Sequence, residues 1–152
     1  MRQKWRTIVT IFVVSVMVNY PWELVQTPLY EGMDDFSRML WHCFPASLGD
    51  GLLVLLIFGV GWLLTGQQEW FINPGGRGYT IMLASGLVIA VAVEWVAVQI
   101  AGQWDYSERM PIIPLLGIGL APVAQMLLLP PLIFYVVVWC AAKEKDSNNS
   151  PK

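Results

Sequence analysis

Four long apolar stretches alternate with short polar ones along this chain, and that alternation predicts four membrane-spanning helices. A helix that crosses the hydrocarbon core needs about 20 mostly apolar residues. Residues 7–26, 47–66, 79–101 and 115–141 each supply such a run. The first is interrupted late by Asn19 and Glu23, the second carries Asp50 near its start, the third holds a single charge at Glu94, and the fourth holds none. The expected fold is all-α: a transmembrane four-helix bundle, one domain over residues 1–142. The polar tail at 143–152, rich in Ser and Asn, is expected to be disordered.

Charges at the ends of these runs predict an orientation. Lys and Arg in short flanking segments stay on the cytoplasmic side. Arg2, Lys4 and Arg6 precede the first run, and Lys143, Lys145 and Lys152 follow the last. The first loop sets Glu31, Asp34 and Asp35 against Arg38, and the third sets Asp105 and Glu108 against Arg109. Both termini are therefore expected in the cytoplasm, with loops one and three outside, in a multi-pass protein of the cell inner membrane. The basic start followed by an apolar run also fits a signal peptide, but Asn19-Tyr-Pro-Trp-Glu23 stands where a small-residue cleavage site is needed. Most of the tryptophans fall near predicted helix ends, as in an aromatic belt.

With that topology, the polar residues of the helices gather on one side. Ionisable groups in a membrane usually face the bundle interior or a water-filled cavity. Glu23 and Gln26 lie late in an outward helix, Ser47 and Asp50 early in an inward one, and Glu94 and Gln99 late in the next outward one. Gln125 lies a third to half of the way down the last. Asn19, Glu23 and Gln26 are four and three apart, so they share a face. Gly86, Ala90, Glu94, Ala97 and Ala101 form one stripe of the third helix, and small residues let helices approach closely. Gly117, Ala121 and Gln125 suggest a similar stripe on the fourth, with Pro122, Pro130 and Pro131 expected to kink or loosen it. Glu94, Glu23 and Asp50 are thus the candidate catalytic or polar-site residues. Gln26, His42, Gln99, Trp104, Tyr106, Arg109 and Gln125 are the candidate binding residues, with Trp104 and Tyr106 folding over the mouth. The three acids, gathered in an outward pocket, are not all expected to ionise, and Glu94, as the deepest, is the one expected to hold its proton.

Composition narrows the function classes. The chain is 56% hydrophobic and 13% charged, against roughly a quarter charged in ordinary globular domains. Nine basic and eleven acidic residues nearly cancel, which argues against a nucleic-acid partner. Two cysteines exclude a disulfide scaffold. One histidine and acids at no metal-ligand spacing point to no metal, and the absence of Walker-type, G-x-S-x-G and H-E-x-x-H motifs points to no cofactor.

From Glu94 to Pro131 the chain reads E-W-x-x-x-Q-x-x-G-x-W-x-Y-S-x-x-M-P-x-x-P-x-x-G-I-G-L-x-P-x-x-Q-x-x-x-x-P-P. This resembles small bacterial integral membrane proteins. The shorter pattern of Glu94, Gly102, Trp104 and Tyr106 is similar to polytopic carotenoid-modifying proteins of the hydratase and heterodimeric lycopene cyclase types. The Pro-x-Glu-Glu type motif of the cyclases is absent. The resemblance implies a hydrophobic ligand of isoprenoid or lipid type.

Three functions stay open, in this order. The first is a membrane subunit, scaffold or hydrophobic-ligand-binding protein, with a protein partner or a second copy of the chain. The second is an enzyme acting on a lipid or isoprenoid, with Glu94 as general acid or base. The third is an ion-coupled transporter, which with four helices has to work as a dimer.

Overall fold

The structure, a computed structural model, describes residues 2–33 and 35–149, with the backbone alone at 2–4, 36, 38 and 144–149. Helix α1 spans Arg2–Gln26, α2 Phe36–Thr65, α3 Gly75–Trp95 and α4 Leu120–Asn149. A 3-10 turn at Thr27–Leu29 follows α1, and a π-helical turn at Val96–Ile100 extends α3. All four helices are long and apolar enough to cross a membrane. Each packs on its neighbours in sequence and α4 closes against α1, so the four make a ring.

Local chemistry sets helix ends that differ from the hydropathy pattern. Helix α2 starts at Phe36 rather than at 47, because the Asp35 side chain caps it by accepting from Ser37 N at 3.3 Å. Pro45, which precedes the expected start at 47, lies inside this helix. It ends at Gly66, where φ of 70° suits only a residue without a Cβ. Helix α4 starts at Leu120 rather than at 115. Residues before it form a hairpin of β1 (Ile112–Ile113) and β2 (Ile118–Gly119), turned at Gly117 with φ of 65°. Gly117 therefore belongs to the hairpin and not to a stripe on α4. Pro122 falls in the first turn of α4, where a missing N–H costs nothing, so it starts the helix rather than kinking it. The polar tail continues α4 as helix to Asn149, and 150–152 lie outside the described residues. So do Asp34 and the side chains of Arg2, Lys4, Arg38 and Lys145, which enter the expected orientation.

The stripe on α3 is buried at Gly86, Ala90, Glu94 and Ala97, whereas Ala101 is exposed beyond it. A Cβ at Gly86 would stand 2.3 Å from the Met126 carbonyl oxygen, so α3 and α4 nearly touch there. At the end of the bundle nearest the α2–α3 loop, that loop folds back inward. The Trp70 indole donates to Phe58 O at 3.1 Å and lies flat against Gly61. Phe58, Phe71 and Phe134 surround it with ring centroids 5.3–6.4 Å apart. This is the plug end; the opposite end is the lid end.

Candidate functional site

Gln125 is the centre of the polar site. It is 2% exposed on α4, five residues after the helix start. Its amide nitrogen lies 2.9 Å from Asn19 Oδ1, 3.0 Å from Glu23 Oε1 and 2.7 Å from Asp50 Oδ2, donating toward all three. Its oxygen accepts from Gln26 Nε2 at 3.2 Å. One side chain of α4 thereby ties α1 to α2. The Gln26 amide also donates to Glu23 Oε1 at 2.7 Å and accepts from the Trp22 indole at 3.2 Å. Asn19 is held in turn by donating to Ser15 O at 2.8 Å. The helical spacing of Ser15, Asn19, Glu23 and Gln26 is what brings them to one face of α1. The Asp50 and Glu23 carboxyl groups thus meet at one amide nitrogen.

Glu94 occupies the same end from α3. It is 5% exposed and accepts a hydrogen bond from the Tyr106 hydroxyl at 2.5 Å. Asp50, Glu94 and Gln125 line one cavity of about 30 Å³, walled also by Ala90 and Pro122. A polar cavity of that size has room for about one water molecule. The three acids thus converge around Gln125, with Asp50 and Glu94 facing each other across the cavity.

The two loops at this end form a lid. Glu31 N donates to Asp105 O at 3.0 Å, Ser107 N to Leu29 O at 2.9 Å, and Tyr30 bridges Tyr106 in an antiparallel pair. Tyr30 stacks edge-on against Trp104 with centroids 6.4 Å apart and packs 5.8 Å from Tyr106. The Trp104 indole nitrogen is buried beside Glu94 and Tyr106. Burial, and next the hydrogen bond to Glu94, push the Tyr106 phenol up to about 12. Burial raises Tyr30 as well, and the neighbouring acids, Glu94 first, raise it further. Outside the lid lies an open groove of about 590 Å³. Glu31, Asp105 and Glu108 give it charge, Val98, Met110 and Ile112 give it apolar wall, and Tyr106 links it to Glu94.

The structure brings together Glu23, Gln26, Asp50, Glu94, Gln125, Trp104 and Tyr106. Three other candidates lie elsewhere. His42 is exposed on α2, while Cys43 beside it packs on Thr27, because α2 already runs through this segment. Gln99 is exposed and donates to Gly117 O at 3.1 Å, so it pins the hairpin. Arg109 is exposed, and its backbone N–H donates to Ser107 Oγ at 3.3 Å. Ser47 is buried, but its hydroxyl donates to Cys43 O within its own helix. Tyr30 is the residue that sequence reasoning missed. Nothing local marks it, since it enters the site by pairing with a loop 76 positions away. Among the described residues, no three His, Cys, Asp or Glu side chains are placed to hold a metal ion. Comparison of the chain with protein-family models, with curated proteins and with solved structures finds no match.

Proposed function

We propose that this chain is a multi-pass protein of the bacterial inner membrane, with both termini cytoplasmic, that binds a hydrophobic ligand with a polar head at its outer face. The groove carries this reading. Its volume of about 590 Å³ falls in the range of ligand sites, and its lining combines apolar Val98, Met110 and Ile112 with acidic Glu31, Asp105 and Glu108. An amphiphile of lipid or isoprenoid type fits such a mixed lining, its tail along Val98, Met110 and Ile112 and its head toward Tyr106 and the acids. The buried Gln125 network then serves as the scaffold that holds the lid loops over four fixed helix ends. Native mass spectrometry of the protein purified in mild detergent tests this. Retained lipid or isoprenoid is expected, and Ile112→Asp should lose it. A parent protein that retains none, or equal retention in the variant, overturns the reading. Labelling from outside sealed cells tests the orientation: Ser37→Cys should react and Ser147→Cys should not.

The contact between Tyr106 and Glu94 favours a second reading, an enzyme on the same ligand class with Glu94 as general acid or base. Tyr106 stands both in the groove wall and on the Glu94 carboxyl. Glu94→Gln separates the two readings. It should leave ligand retention intact in either, and it removes turnover only in the second.

A further inference from the structure

The loop that leads from the lid into α4 is apolar and yet turned outward. No charged residue stands between Met110 and Ala142. Within this stretch the hairpin of β1 and β2 has two unlike faces. Ile118 is fully buried with Ala90, Val123 and Met126, and Ile113 packs against that cluster. At the tip, Leu115 is 97% exposed, and Ile112 and Leu116 are exposed beside it. An aliphatic tip of this kind is unfavourable in water, which drives apolar surface into an apolar medium.

The backbone fixes where the tip stands. The Gln99 amide donates to Gly117 O at 3.1 Å, so the hairpin lies level with the lid end of the third spanning segment, Gly75–Ile100. Ile100 beside Gln99 is exposed, and so is Leu120, which opens α4 directly after the hairpin. The apolar surface of the helices therefore continues onto the tip. The hydrogen bonds of the turn suit lipid as well. Leu116 N and Gly117 N both donate to Ile113 O, and Leu120 N donates to Pro111 O. Pro111 and Pro114 carry no N–H to satisfy. Water would serve the Gly117 carbonyl unaided, whereas here a side chain of α3 is spent on it. Polar backbone in contact with lipid has to be paired within the protein.

We propose that the tip of this hairpin, residues 114–116 with Ile112 and Leu120 behind them, inserts into the membrane leaflet at the lid end. Its partner is lipid, at the boundary between headgroups and acyl chains. The chemistry favours lipid over a protein, because the tip holds no Trp, Tyr or Arg, the residues that anchor protein interfaces. Ile112 and Gly117 also line the groove, so the groove borders the leaflet at the hairpin. An apolar chain then reaches it sideways from lipid without passing through water. The inference rests on the reading that the four helices cross a membrane. It holds whichever side the lid faces and whatever the groove binds.

Spin labels read by electron paramagnetic resonance in lipid nanodiscs test it, on a background carrying Cys43→Ala and Cys140→Ser. Labels are placed at Leu115→Cys, at Val88→Cys on the exposed middle of α3, and at Glu108→Cys as the aqueous reference. Oxygen, which concentrates in lipid, and a nickel chelate, which stays in water, report the surroundings of each. The label at 115 should respond to oxygen as the one at 88 does, and lose the nickel response seen at 108. A nickel response at 115 with an oxygen response at 88 overturns the inference and leaves the membrane reading standing. A nickel response at 88 as well overturns both. A label at 115 shut off from both reagents means that protein covers the tip, which overturns the inference too. The unaltered protein gives the same answer without substitutions. In nanodiscs of phosphatidylcholine with a photoreactive diazirine near the glycerol end of one acyl chain, cross-links should map to residues 112–120. Cross-links on α3 with none in that segment overturn the inference.

Discussion

The two ends of this bundle solve one packing problem in opposite ways. At the plug end, Trp70, Phe71, Phe58 and Phe134 fill space by shape, with a single side-chain hydrogen bond from the Trp70 indole. At the lid end, Gln125 joins oxygens from two other helices, and the space that remains is a polar cavity. Within lipid, apolar surfaces gain little by leaving one hydrocarbon for another, so association rests on close packing and on hydrogen bonds. The plug end relies on the first and the lid end on the second. The same four helices are thus closed by volume at one end and by donors at the other.

That contrast is broken or sharpened by substitutions that change volume and hydrogen bonding separately. The largest effect is expected at the plug. Trp70→Ala should cost about 3–5 kcal/mol in a detergent unfolding titration, as large-to-small core changes do. Trp70→Phe, which keeps most of the volume and loses one hydrogen bond, should cost about 1 kcal/mol. Equal losses in the two would mean that the hydrogen bond, and not shape, closes this end.

Gln125→Met keeps volume and removes the donors. Buried acceptors left unserved cost about 1–3 kcal/mol each, and hydrogen bonds between membrane helices average less, so a loss of about 2–3 kcal/mol is expected. A change below about 0.5 kcal/mol, the size of an ordinary surface substitution, would show that the lid end is also held by shape.

Glycines test the closeness of the helices between the two ends. Gly86→Ala forces a methyl group onto the Met126 carbonyl and should cost about 1–3 kcal/mol. Gly59→Ala meets nothing within 4 Å and should be neutral or stabilising by up to about 1 kcal/mol. Thermal unfolding of the two variants side by side decides whether α3 and α4 touch there.

The smallest effect is a pH response of the lid. Because Tyr106 is raised from 10.0 to about 12, its protonated form is favoured in the closed lid. The lid's contribution is complete below 10.0 and is lost as pH rises toward about 12. Tyrosinate absorbance should rise in that window together with a change in Trp fluorescence, and Tyr106→Phe should abolish the coupled change. Lid opening that begins well below this window would place its closure on other groups.

Much of the site was legible because helical spacing and topology are both one-dimensional facts. The four-and-three rhythm of Asn19, Glu23 and Gln26 puts them on one face, and alternating helices bring Glu23, Asp50 and Glu94 to the same end. The four apolar runs mark the helices for the same reason. Helix starts were less legible, because hydropathy places the start of α2 at 47 and His42 before it, although Asp35 caps a helix that continues through both His42 and Pro45. His42, Gln99 and Arg109 were near the site along the chain and are exposed in the structure.

The sequence by itself determined the number of helices long and apolar enough to cross a membrane, the end at which their acids gather and the small-residue face of α3, since hydropathy and periodicity act within each helix. Only the tertiary structure decided that Gln125 is the centre, that Tyr30 and Tyr106 pair, and that Asp50 faces Glu94 across a cavity. Those facts depend on the rotation of each helix against its neighbours. That rotation is set by packing such as Gly86 on Met126 and by hydrogen bonds between residues about a hundred positions apart, which no local pattern records.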